Sequence, residues 1–200
     1  MSAPQIFQIM KSNAVLWFAP VGEAVPDETS VDAGVVWGGN WERLGATKEP
    51  LTMLYEDERA YVNVEEYLSP VHRFKTSESL TIETVLAEID ADYLAVMIGG
   101  TVAVTAAGGG QKGFDSLPVG NDALLIAYAF GFEGIHVDSA GVELTLRVFV
   151  YRATAKVGGE LTFSKREDDY TGVPITIEAL SDSATPGRLL VIEKVTAPSV

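Results

Sequence analysis

Alternation with a period of two residues dominates this chain. Residues 14–18 are apolar and β-favouring, and Pro20 stops them, which predicts a short strand. Residues 35–44 and 51–56 predict two more around the connection 45–50. Residues 59–66 alternate, with Tyr61, Asn63 and Glu65 on one face and Val62 and Val64 on the other. After Pro70, residues 71–85 are long enough for an extended arm. In residues 123–132, Leu124, Ile126, Tyr128, Phe130 and Phe132 form a bulky face. Ala123, Ala127, Ala129 and Gly131 form a small one, broken by Leu125. A small face lets a second layer approach closely, so this strand should be central and covered on both sides. Residues 142–156 alternate too, with Val142, Leu144, Leu146, Val148 and Val150 opposed to Glu143, Thr145 and Arg147. Residues 101–105, 161–163, 173–180 and 188–195 complete the predicted strands.

One stretch has the helical period. Leu86, Ile89, Tyr93, Leu94, Met97 and Ile98 make a single apolar stripe, predicting a helix over about 85–98. Glu88, Asp90 and Asp92 suit its N-terminal half, and Gly99-Gly100 its stop. About ten strands and one helix predict a mainly β fold: an antiparallel sandwich or barrel with one flanking helix.

Composition narrows the partners. At 200 residues the chain suits one domain, here taken as residues 1–200 with N- and C-terminal arms. It has 28 acidic against 14 basic residues, a formal charge of −14. Such an excess repels phosphate backbones and anionic membranes. There is no cysteine, hence no disulfide framework and no thiolate chemistry. The opening residues 1–5 show neither a basic nor an apolar signal region, so a soluble chain made in a cytoplasm is expected. The longest apolar run, residues 123–130, is far short of the roughly 20 that span a bilayer.

Candidate chemistry is sparse. His72 and His136 stand apart, without ligand spacing around either. Gly108 and Gly113 have the spacing of a phosphate loop, but Phe114-Asp115 follows where Lys-Ser or Lys-Thr is needed, and Pro118 blocks an immediate helix. Asp90 and Asp92 are explained by a helix N-terminus. Glu167, Asp168 and Asp169 follow Lys165-Arg166 and read as a solvated turn. No nucleophile elbow is present. The sequence therefore predicts no catalysis, no metal and no cofactor.

Three stretches carry a resemblance. Ala19-Pro20-Val21-Gly22 precedes an acidic loop and then residues 37–48, Trp37-Gly38-Gly39-Asn40-Trp41 onward. Pro70-Val71 leads through Ser77 and Leu80 to Leu86 and the helix. Asp169-Tyr170-Thr171-Gly172-Val173-Pro174 opens the third, ending at Leu180. In this order they resemble the major tail tube proteins of long-tailed bacteriophages, over nearly the whole chain. The resemblance implies a β-sandwich or barrel flanked by a helix and self-association into six-fold rings whose inner sheets join. Rings would stack through a long loop and terminal arms into a conduit for genome ejection from the virion. The tape-measure protein, tail terminator and distal tail proteins would be its partners. The C-terminal immunoglobulin-like domain of some members is not expected here.

Six copies at −14 each would carry −84, and a carboxylate-lined lumen lets DNA slide where cations would hold it. Candidate lumen positions are the polar faces of alternating strands: Asn63, Glu65, Thr81, Glu83, Glu143 and Thr145. Stacking is assigned to residues 45–67 and 108–120, with Gly45, Lys48, Glu56, Asp57, Glu58, Gly108, Gly109, Gly110 and Lys112 as candidates. Two other readings compete: a carbohydrate-binding sandwich using Trp17, Trp37 and Trp41 as a stacking platform, and another tail component such as a terminator or connector. An acidic enzyme ranks below both.

Overall fold

The computed structural model describes residues 10–26, 36–88, 90–120, 125–137, 141–160, 172–184 and 187–196. The predicted strand at 161–163, the acidic turn 165–169 and the outermost parts of both terminal arms lie outside the described residues. The remainder is mainly β with one helix. In chain order come β1 (Met10–Pro20), β2 (Glu42–Arg43), β3 (Thr52–Val62), β4 (His72–Leu86) and α1 (Ala91–Ile98). β5 (Ala103–Thr105), β6 (Phe114–Ser116), β7 (Tyr128–Val137), β8 (Glu143–Val157), β9 (Val173–Ala179) and β10 (Leu190–Lys194) follow.

All pairings are antiparallel. The main sheet runs β2-β1-β7-β8-β9-β4-β3, with β10 also on β8, and β5 and β6 form a separate ribbon. β8 is the spine. One of its edges carries β7. The other carries β10 opposite residues 146–150 and then β9 opposite residues 153–157. The handover coincides with an irregularity between Val150 and Ala153, where two residues of β8 oppose Ala129 alone. Such a bulge re-aims a strand without ending it.

Strand alternation sorts the core into two clusters on opposite faces. Leu16, Phe18, Phe130, Val150, Ala153, Ile82, Ile175 and Ile177 fill one face, and Val96 and Met97 of α1 cover them. Each fully buried aliphatic side chain contributes about 1.5–3 kcal/mol. Trp17, Ala19, Ala129 and Phe149 fill the other face, covered by Trp37 and Trp41. β7 is thus buried between both layers, as its bulky and small faces anticipate. It starts at Tyr128 rather than 123, and Leu125 and Ile126 are exposed ahead of it.

Other boundaries differ from expectation as well, the predicted strands 51–56 and 59–66 being one strand, β3. The helix spans Ala91–Ile98, because residues 81–86 pair with β9 and Leu86 reaches the core from a strand. The Asp90 side chain accepts the Asp92 N–H at 2.9 Å and sets the helix start. Residues 36–41 form no strand. They are a lid that lays Trp37 and Trp41 on the second cluster, where large aromatic area outweighs the two or three ladder bonds a strand would add.

Candidate functional site

Directly opposed residues in a ladder point to one face of the sheet, so pairing registers define a surface. On β4, Thr81 and Glu83 lie opposite Leu54 and Thr52 of β3 and opposite Glu178 and Thr176 of β9. Glu178 and Thr176 in turn oppose Thr154 and Lys156 of β8. Glu56 and Glu58 of β3, opposite Ser79 and Ser77, continue the same face. The opposite face of these strands holds Ile82, Ile175 and Ile177 and is core. The result is a four-stranded surface of hydroxyls and charges. Glu56, Glu58, Glu83 and Glu178 stand on it against Lys156, which pairs with Glu178, and Arg152, two residues before Thr154 on β8. A cleft of about 200 Å³ opens beside Glu83, lined by Glu49, Thr52, Thr84, Pro174 and Thr176. It falls below the roughly 300 Å³ of a ligand pocket.

Past residue 80 the hairpin leaves the body. Residues 55–62 of β3 and 72–79 of β4 pair with each other, while β9 reaches β4 only at Thr81–Leu86. Their side chains are exposed or half-buried on both faces. A lone two-stranded hairpin is marginal in water, so a projecting arm of this length needs partners along its surface. One of its faces is charged. Arg59 bonds Asp57 at 2.5 Å, Lys75 bonds both Glu78 and the Tyr55 hydroxyl, and Arg73 and Lys75 lie over the Tyr61 and Tyr55 rings. The Arg59 hydrogen bond holds Asp57 below the usual carboxylate range. Glu78 is lowered by Lys75 first and Tyr55 second, and Lys75 is raised in return. The other face bears Ala60, Val62 and Phe74, and the tip exposes Tyr67 and Leu68.

The sequence-derived candidates therefore fall in separate places. Thr81 and Glu83 share the polar sheet face. Asn63 and Glu65 follow β3 at the exposed arm tip. Glu143 and Thr145 lie at the far end of β8, opposite Val137 and Ile135, and Thr145 is buried in the chain alone. Of the stacking candidates, Glu56, Asp57 and Glu58 are on the arm, Glu58 accepting from Ser77. Gly108, Gly109, Gly110 and Lys112 form the exposed turn of the β5–β6 ribbon. Gly45, at φ 73°, is buried beneath the Tyr93 ring, and Lys48 N–H binds the Val85 carbonyl at 2.6 Å, so both belong to the body. Sequence reading missed Glu56, Glu58, Glu178 and Lys156 as members of one face. No local pattern marks the four as one set; only the register joins them.

The three tryptophans supply no platform. They are buried at 4%, 2% and 5% exposure, with Trp17 stacked on Trp37 at 5.2 Å and Trp41 edge-on to it. Trp37 Nε1 donates to Glu133, as does Arg147, both inside the second cluster. His136 Nε2 contacts the Val195 carbonyl at 2.8 Å, and His72 sits on the arm. No three His, Cys, Asp or Glu residues converge on a metal position among the described residues. No helix among them is long and apolar enough to cross a membrane.

Among known families, the one described as phage tail tube protein matches residues 5–199. The sequence matches no curated protein.

Proposed function

Since this chain belongs to the phage tail tube protein family, making it a structural component of the virion's tail, we propose that six copies close into a ring and that stacked rings form the conduit for DNA. The observation that supports this most is the solvated face shared by β8, β9, β4 and β3. Four carboxylates stand against two cations, Lys156 and Arg152, a net charge of −2 per chain, while its reverse is core. A sheet so divided suits the wall of an aqueous channel. DNA carries one charge per about 1.7 Å, and a lumen short of cations offers it no counterion-releasing contacts, so it slides.

Thr81 and Glu83 are lumenal in this proposal, with Glu56, Glu58 and Glu178 beside them. The arm, with Asn63 and Glu65 at its tip, and the Gly108–Lys112 turn contact the next ring. An exposed hairpin with apolar side chains at its end supports that role, because large exposed apolar patches mark contact surfaces. Tape-measure, terminator and distal tail proteins are the further partners, assembly takes place in the host cytoplasm, and the chain performs no catalysis. The carbohydrate-binding alternative loses its basis with the tryptophans in the core.

Negative-stain microscopy of the concentrated purified chain tests the proposal. Tubes of stacked rings are expected. Single rings that never stack would favour a terminator or connector, and dispersed particles at all concentrations would overturn self-assembly of the isolated chain.

A further inference from the structure

The four strands of the acidic face end in two edges that carry no strand among the described residues. β3 pairs with β4 along Thr52–Val62 and, among the described residues, with no strand on its outer side. On the far side, β7 begins at Tyr128, opposite Ala153, so residues 154–157 of β8 are paired by β9 alone. An eleven-residue edge without proline is a ready template for another strand. Directions also match. β8 and β4 run one way, β9 and β3 the other, so β3 of one copy meets β8 of the next antiparallel.

Charge completes the match. Lys156 stands on this face at the β8 edge, with Arg152 on the same strand, whereas Glu56 and Glu58 stand at the β3 edge. In a flat ladder Lys156 is level with Thr52, through Thr176 and Glu83. Closure staggers the strands by about one residue each, as in an eight-stranded barrel of shear 8. Across four strands this moves the partner of Lys156 from Thr52 to Glu56; the opposite stagger runs off the strand at Lys48.

We infer that neighbouring copies of this chain join by pairing β3 of one with residues 154–157 of β8 in the next, with Lys156 set against Glu56 across the seam. The partner is a second copy of the chain. The inference rests on the proposed ring and specifies which edges close it. Within one chain Lys156 and Glu56 lie on the two outer strands, separated by three ladder spacings, about 14 Å, across the sheet and by a further four residues along it, so any coupling between them is between copies.

Two measurements on the full chain test it. Lys156→Glu and Glu56→Lys should each lower the assembled fraction in sedimentation, more steeply at low salt, and the double reversal should restore it. Independently, Glu56→Cys combined with Lys156→Cys introduces the only thiols in the chain. Their Cα atoms are too far apart to bridge within a copy. Oxidation of assembled tubes should give a covalent ladder up to the closed ring, with single-cysteine variants ending at dimers. Intact tubes from the double-cysteine variant without a ladder, together with charge reversals that leave assembly unchanged, would overturn the seam and leave the ring standing. Absence of tubes from the unmodified chain would remove the ring proposal and the seam with it.

Discussion

Gly131 of β7 lies flat against the indole of Trp37. A Cβ built on Gly131 would stand well inside 3.0 Å of two indole carbons of Trp37 and 3.4 Å from Trp41. The small face of β7 is thus the floor on which the lid 36–41 packs. Overpacking a tight site costs about 1–3 kcal/mol. Gly131→Ala should destabilise the chain by that amount in urea unfolding, with altered tryptophan fluorescence, while the same change at Gly108, where a Cβ meets nothing within 4 Å, should stay within about 0.5 kcal/mol.

Under the same lid, Arg147 and Glu133 form an ion pair with 1% and 4% of their side chains exposed. Removing one partner of such a pair leaves a buried charge and costs about 3–5 kcal/mol. Arg147→Met should therefore lower unfolding stability by about that much. Adding Glu133→Gln should recover part of the loss, because the uncompensated carboxylate disappears.

The arm should loosen in acid. Asp57 and Glu78 are held below their ordinary values of 3.8 and 4.5 by Arg59 and by Lys75 with Tyr55. A carboxyl with a depressed folded-state pKa contributes stability above its ordinary value and loses it as pH falls through the depressed one. Arm order should then be flat near neutrality and decline below about pH 4, with salt weakening it where the carboxylates are ionised. Amide exchange of residues 55–62 and 72–79 at several pH values reads this directly. Equal protection at pH 3 and pH 7 would contradict it.

Glu83→Lys tests the lumenal assignment. Glu83 is exposed, so folding stability should change by less than about 0.5 kcal/mol and tubes should form. DNA passage should slow, and added salt should relieve the defect. Unaltered delivery by phage carrying the substitution would place Glu83 elsewhere.

Deleting residues 108–113 removes the β5–β6 turn without touching either core cluster. The variant should unfold at the same denaturant concentration as the parent yet fail to form tubes in the microscope. Normal tubes would free this ribbon from any part in stacking.

Much of the fold is legible along the chain because strand alternation is local. The outward set Glu143, Thr145 and Arg147 can be read from period alone, yet Thr145 and Arg147 are buried, Arg147 against Glu133, to which Trp37 of the lid also donates. Period tells which way a side chain points; it is silent on whether anything lies above it. The helix shows a second limit. Leu86 fits the apolar stripe, but pairing with Val173 of β9, nearly ninety residues away, holds it in a strand. The sequence by itself determined the class, the central strand with its small and bulky faces, the acidity and the family likeness, all properties of residue type and short-range order. The tertiary structure alone decided that Glu56, Glu83, Glu178 and Lys156 share one surface, because that depends on the registers of three ladders joining distant segments, which no local pattern encodes.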